Sequence, residues 1–339
     1  MEQLQRLKIP MSTQIENPTF DDSYFQHHLP QIYRTVLKDF RRIVQSFIFF
    51  HIFSLALIGT EAILFLPFVA KSAMAALALG ALFLTTFSYL VLHFYYQARK
   101  PERLINLKEK FLQSCRRHIS VPAGEAQHHL SIAEALLKLA SYLEDFEKNF
   151  YTLPPLFQFA APLFGRFSSY CYWKDVFKLK RLLLSAAIEE HLKQIRATPT
   201  DLEVHASLAT TYVAQSKIYR LTLHSRKEQA LFEENFRTAA RLAIEEFRIL
   251  NHYAPNDPWV HEQLSQGYRE LDMPEEELRE VEMLLKLRPQ DKETLFRLGT
   301  LYFHQGMNAK GLQIYEDLKQ SNFKKAEDLI ASYGHRNLP

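Results

Sequence analysis

Apolar positions are laid out in two ways along this chain of 339 residues. From Ile43 to Leu66 and from Ala73 to Tyr96 they run almost unbroken, whereas from about residue 130 onward they recur at helical spacing between charged positions. At about 1.5 Å per residue, each unbroken stretch is long enough for a tilted helix to cross a hydrocarbon core of about 30 Å. Only residues 67–72 separate the two, and Pro67 is placed to end the first helix. The pattern predicts an all-α chain with four parts: an N-terminal segment over 1–42, a transmembrane helical hairpin over 43–96, a basic juxtamembrane helix or linker over 97–129, and a helical domain over 130–339. A cleaved signal peptide fits poorly, because a polar segment precedes the first stretch and no small-residue cleavage site follows a short apolar core.

Charge sets the expected orientation. Arg34, Lys38, Arg41 and Arg42 precede the first stretch and Arg99, Lys100, Arg103, Lys108 and Lys110 follow the second, against Lys71 alone in the turn. The positive-inside rule then predicts an integral membrane protein with two spans and both termini in the cytoplasm. Ala76 and Gly80 give the second span a small face on which the first is expected to pack. Glu61 and His51 are ionisable groups inside the spans, and Glu61 is expected to reach water or Lys71 at the turn rather than to line an ion path. Residues 99–117 read as a basic amphipathic helix that either touches anionic lipid or connects the hairpin to the helical domain. A further helix is expected in residues 18–40, within YFQHHLPQIYRTVLKDF, covering one end of the helical domain.

The second half carries a period of 34 residues. Pro255 and Pro289 share that spacing, as do Asp257 and Asp291, Leu264 and Leu298, Tyr268 and Tyr302, Leu278 and Leu312, and Leu284 and Leu318. Pro199, His205, Leu208 and Tyr212 recur 56 positions later as Pro255, His261, Leu264 and Tyr268, which is one period plus 22 residues. In the last unit Leu298-Gly299, Tyr302 and Tyr315 occupy the characteristic positions of a helix–turn–helix unit, with Gly311 and, one unit earlier, Glu277 where Ala is usual. On these residues the chain resembles the tetratricopeptide repeat (TPR) family over about residues 130–335, which implies a TPR-type α-solenoid whose helix pairs bury their apolar faces against stacked neighbours. The extra residues, about 217–238, are expected to lengthen two helices by about three turns each. Residues 134–146 and 176–195 are expected to pair as an upstream unit split by a proline- and aromatic-rich insertion at about 150–173, which either dips into the membrane interface or plugs the solenoid. Residues 324–333 are expected to cap the stack.

The resemblance also implies a concave face made by the first helices, on which an extended peptide or partner helix would bind. Its residues here would be Ala206, Thr210, Val213, Trp259, Gln266, Arg269, Phe296, Thr300, Phe303 and His304. The three aromatics either form an exposed apolar surface or pack into the stack. The Lys and Asn pattern by which some members hold a chaperone's C-terminal carboxylate is missing. The two closely spaced spans also resemble the bilobed hydrophobic domain of chlamydial inclusion membrane proteins, which leaves a membrane-remodelling function of the hairpin as the alternative.

Composition narrows the picture further. With 41 basic against 38 acidic residues the charge is too even to suggest nucleic acid. Cys115 and Cys171 form no CxxC pair, so neither a disulfide framework nor a thiolate zinc site is expected. The adjacent pairs His27-His28 and His128-His129 point apart on a helix and make no chelating pair. No phosphate loop, dinucleotide fingerprint, nucleophile elbow or HExxH motif is present, so the expectation is a protein with no catalytic residue, cofactor or metal. The expected function is a membrane-anchored scaffold that binds a protein partner on the cytoplasmic face, contacts lipid through residues 43–96, and has oligomerisation open to it.

Overall fold

The computed structural model describes residues 23–68, 72–119, 121–122, 126–144, 146, 161–220 and 226–334. Among these every regular element is helical: α1 (Ser23–Phe65), a short 3-10 turn (Leu66–Phe68), α2 (Ser72–His118), α3 (Ala126–Tyr142), α4 (Ala161–Ala197), α5 (Leu202–Arg220), α6 (Arg226–Tyr253), α7 (Pro258–Glu270), α8 (Pro274–Leu287), α9 (Lys292–His304), α10 (Asn308–Gln320) and α11 (Ala326–Gly334). The chain divides into two compact units, Pro18–Ala187 and Ile188–Pro339, and the boundary falls inside α4.

In the first unit α1 and α2 run antiparallel over 43 and 47 residues, so each apolar stretch continues into its polar flank as one helix. Their shared seam holds polar contacts among aromatic ones such as Phe50–Tyr89. Thr85 Oγ1 donates to Glu61 Oε1 at 3.0 Å, His51 Nδ1 lies 3.0 Å from the Tyr89 hydroxyl, and the His51 and His93 rings are 5.0 Å apart. Large apolar side chains point outward instead, with Phe53 70% and Phe83 72% exposed. This arrangement corrects two expectations. A Cβ on Gly80 would meet nothing within 4 Å, so the small face of α2 looks away from α1. The hydrogen-bonding side chains claim the seam, because each would otherwise lie unpaired among apolar neighbours. For the same reason Glu61 meets Thr85 rather than the turn.

Beyond the apolar stretch the same two helices have an ordinary buried core. Phe25, Leu29, Tyr33 and Phe40 of α1 and Leu104, Leu107 and Phe111 of α2 are buried, as are Ile132, Leu136 and Leu139 of α3. Tyr33 stacks on Phe111 with ring centroids 5.9 Å apart and donates its hydroxyl to the Ala135 carbonyl at 3.3 Å. The helix expected at the end of the repeats is therefore the start of α1, inside this unit. The segment expected as the first helix of an upstream repeat is α3, and it too belongs here. α3 buries residues over most of its circumference, from Leu130 through Leu143. Of the proline-rich insertion, residues 161–173 open α4, with Pro162 in the first turn, where a missing N–H costs nothing; the rest lies outside the described residues.

The second unit is a succession of helix pairs: the end of α4, then α5 with α6, α7 with α8, α9 with α10, and α11. One apolar cluster joins Leu208, Tyr212, Ile244, Phe247, Leu264 and Tyr268 across three helices. The next joins Val281, Leu298, Tyr302, Ile314 and Leu318 and is closed by Leu329 of α11. The periodic aspartates are caps, since Asp257 accepts from the Trp259 amide and Asp291 from those of Glu293 and Thr294. The turns that follow α7, α9 and α10 place Asp272, Gly306 and Asn322 at positive φ, the left-handed geometry that ends a helix. The extra residues of the long repeat are shared unevenly: α5 has 19 residues against 13 in α7, whereas α6 has 28 against 14 in α8. Buried Phe236 holds the added turns, and Phe232 packs 6.0 Å from Tyr219.

Candidate partner-binding face

The first helices α5, α7 and α9 carry every residue expected on the binding face. On α5, Thr210 and Val213 are half-buried, and Thr210 Oγ1 donates to its own helix at Ser207. Ala206 is buried. On α7, Trp259 is half-buried and meets Phe247 edge-on at 5.5 Å, while Gln266 and Arg269 are exposed. On α9, Phe296 is half-buried against Phe323, Thr300 donates to the Phe296 carbonyl, and His304 is exposed. Phe303 lies inside the stack at 6% exposure, which corrects its placement on an exposed surface.

Two departures from the repeat pattern account for much of this geometry. A Cβ on Gly311 would sit 2.6 Å from the Phe303 ring, so the glycine on α10 is what admits that ring to the interior. Glu277, at the other unusual position, is 4% exposed, and its Oε1 accepts from Arg269 Nε at 2.9 Å and from Arg297 Nη2 at 2.7 Å. Arg297 Nη2 also donates to the Ser265 carbonyl at 3.0 Å. A buried carboxylate held between two guanidinium groups thus ties α7, α8 and α9 together and keeps Arg269 and Arg297 fixed on the face. Arg297 and Glu277 lie outside the residues that the family pattern predicts for the face; the Glu at an Ala position is the sequence signal for them.

A second tie occurs twice. His205 Nδ1 lies 2.6 Å from Glu246 Oε2 and its Nε2 3.0 Å from the Pro199 carbonyl. His261 repeats the arrangement with Glu280 at 2.6 Å and the Pro255 carbonyl at 2.9 Å. The histidines are 56 apart but their carboxylates are 34 apart, so the extra residues fall between the first and second helix, as the spacing predicts. One helix pair earlier, His191 of α4 lies with Nε2 3.3 Å from both the Ser207 and Thr211 hydroxyls, and burial pushes its pKa down to about 4.

Between α5 and α7 the face is notched. Val213 and Gln266, two of the expected residues, line it with Ser216, Gln263, Gly267 and Glu270, over a floor of Ala243, Ile244 and Phe247. Gly267 matters to the floor, since a Cβ there would approach Ile244 to 2.9 Å. The chemistry on offer is hydrogen bonding by amides and a carboxylate around a shallow apolar base. Among the described residues no group of three or more His, Cys, Asp or Glu side chains is placed to hold a metal ion.

No protein-family model matches the chain, and no curated protein matches it. A similar solved structure is the crystal structure of a thermophilic TPR protein of Thermus thermophilus, with 18% identity and a TM-score of 0.29 over 73% of this chain and 94% of that one. The assignment of an all-α fold, with two long apolar helices followed by stacked helix pairs, rests on the helices described above.

Proposed function

We propose that this protein is a membrane-anchored TPR-type scaffold that binds a protein partner on the first-helix face of its C-terminal unit. The observation that carries the anchor is the inversion of ordinary burial in α1 and α2. The most apolar windows of these helices are 6% and 0% buried, whereas the core helix of a water-soluble domain hides its apolar side chains. Exposed phenylalanines outside and a hydrogen-bonded seam inside match a lipid solvent. In this reading the basic flanks of the two spans, by the positive-inside rule, would hold both ends of the hairpin on the cytoplasmic side.

For the scaffold, the support is a face of half-exposed polar and aromatic side chains whose positions are set by fixed ties rather than by loops. An extended peptide or partner helix would lie across Thr210, Val213, Gln266, Arg269, Thr300 and His304, with Trp259 and Phe296 as partly covered apolar contacts. Anchoring would raise the local concentration of that partner at the bilayer. The test is photo-crosslinking in native membranes from a probe at His304, comparing wild type with a Thr210→Arg/Gln266→Arg/Thr300→Arg variant shown to stay folded by circular dichroism. A discrete crosslinked partner that disappears in the variant supports the reading. A crosslinking pattern unchanged by three added arginines contradicts it.

A further inference from the structure

Where the apolar surface of the hairpin ends, cations gather on both helices. The Phe50–Tyr96 ring contact at 5.0 Å and the Lys110–Asp39 ion pair at 2.6 Å fix the register of α1 against α2. Between these two markers lie Arg41 and Arg42 on α1 and Arg99, Lys100, Arg103 and Lys108 on α2, against the three carboxylates Glu102, Glu109 and Asp175, with Lys108 paired to Glu109. Lys100 is paired with Asp175, and Arg41 stacks on Phe146. Arg42, Arg99 and Arg103 have no ion pair to a described carboxylate. Arg99 instead sits 5.0 Å over the ring of Tyr95, and Arg103 5.7 Å over that of Tyr96. Tyrosines at the rim of an apolar span sit at headgroup depth, and a guanidinium resting on such a ring keeps its N–H groups free to face outward.

We infer that this band binds the phosphate groups of anionic phospholipids, with Arg42, Arg99 and Arg103 as the contacting residues. The inference rests on the membrane reading above and goes beyond it, because insertion alone asks for no headgroup preference. Charge complementarity names the occupant: three uncompensated guanidinium groups at headgroup depth match a surface of phosphodiesters, and guanidinium pairs with phosphate oxygens through two parallel hydrogen bonds. Each such cation contributes roughly a fivefold preference for an anionic surface at low salt.

The test uses the full chain reconstituted in phosphatidylcholine vesicles carrying trace spin-labelled lipid. The expected result is that motionally restricted phosphatidylglycerol exceeds phosphatidylcholine several-fold, that high salt reduces the ratio, and that an Arg42→Gln/Arg99→Gln/Arg103→Gln variant brings it near one. A ratio near one for the wild type, or one unchanged in the variant, overturns the inference. So does loss of the preference on adding inorganic phosphate at constant ionic strength, which would mark a site for a free anion. Alkaline carbonate washing separates the two readings: release of the chain overturns both, whereas a chain that stays in the membrane without headgroup preference overturns only this one.

Discussion

Single residues decide the sign of several effects here. On helix propensity alone, Gly311→Ala should stabilise α10 by about 1 kcal/mol. The added methyl would instead strike the Phe303 ring, so the expected outcome is a loss of about 1–3 kcal/mol in chemical denaturation, recovered in part by Phe303→Leu. A stabilised Gly311→Ala variant would show that Phe303 does not occupy that space. His191 gives a pH dependence of known sign. Its ring is held neutral in the folded chain, with a pKa near 4 against about 6.5 when unfolded. The associated stability is fully present above about pH 6.5 and is lost as pH falls from there towards 4, by up to about 3 kcal/mol. Denaturation profiles of wild type and His191→Asn between neutral and acid pH should therefore differ in slope over that window; parallel profiles would contradict it. The sequence showed that Gly311 and Glu277 were unusual, but not why. A missing Cβ and a buried carboxylate gain meaning only from Phe303, Arg269 and Arg297, which lie elsewhere in the chain.

At the scale of elements, the helices of the second unit were legible because their signals are local and repeated. Asp257 and Asp291 cap, Leu264 and Leu298 pack, and the same spacing carries both. The lengthened pair was legible too, though its division between α5 and α6 was not, because either helix could accept polar residues at its free end. The partner of α3 was not legible, because periodicity reports that a helix has a buried face, not which neighbour buries it. Seam choice in the hairpin failed similarly, since Gly80 and Thr85 both suit close packing and the partner side chains Glu61 and His51 settle the matter. The histidine ties make a prediction at this scale. Removing the carboxylate in Glu280→Ala leaves a buried His261 nitrogen without its partner and should cost about 1–3 kcal/mol. Glu246→Ala should cost a similar amount at the neighbouring pair, and because the ties share no partner the two losses should add. Equal stability of the single variants and wild type would mean that these contacts do not hold the pairs together.

For the whole molecule, the apolar stretch of the hairpin and the C-terminal unit follow opposite rules of burial. The C-terminal unit hides Leu264, Val281 and Leu298 and exposes Gln266 and Arg269. The hairpin turns Glu61, Thr85, His51 and Tyr89 inward and leaves Phe53 and Phe83 outside. The claim that joins them is that the outer surface of α1 and α2 is covered by lipid while the first-helix face is open to water. Single cysteines test it most directly, introduced as Phe53→Cys, Phe83→Cys and Gln266→Cys in a Cys115→Ala/Cys171→Ser background and challenged with a membrane-impermeant maleimide in right-side-out and inverted membrane vesicles. The account predicts that positions 53 and 83 stay protected on both sides until detergent is added, while position 266 reacts from the cytoplasmic side alone. Rapid labelling at 53 and 83 in intact vesicles would contradict it.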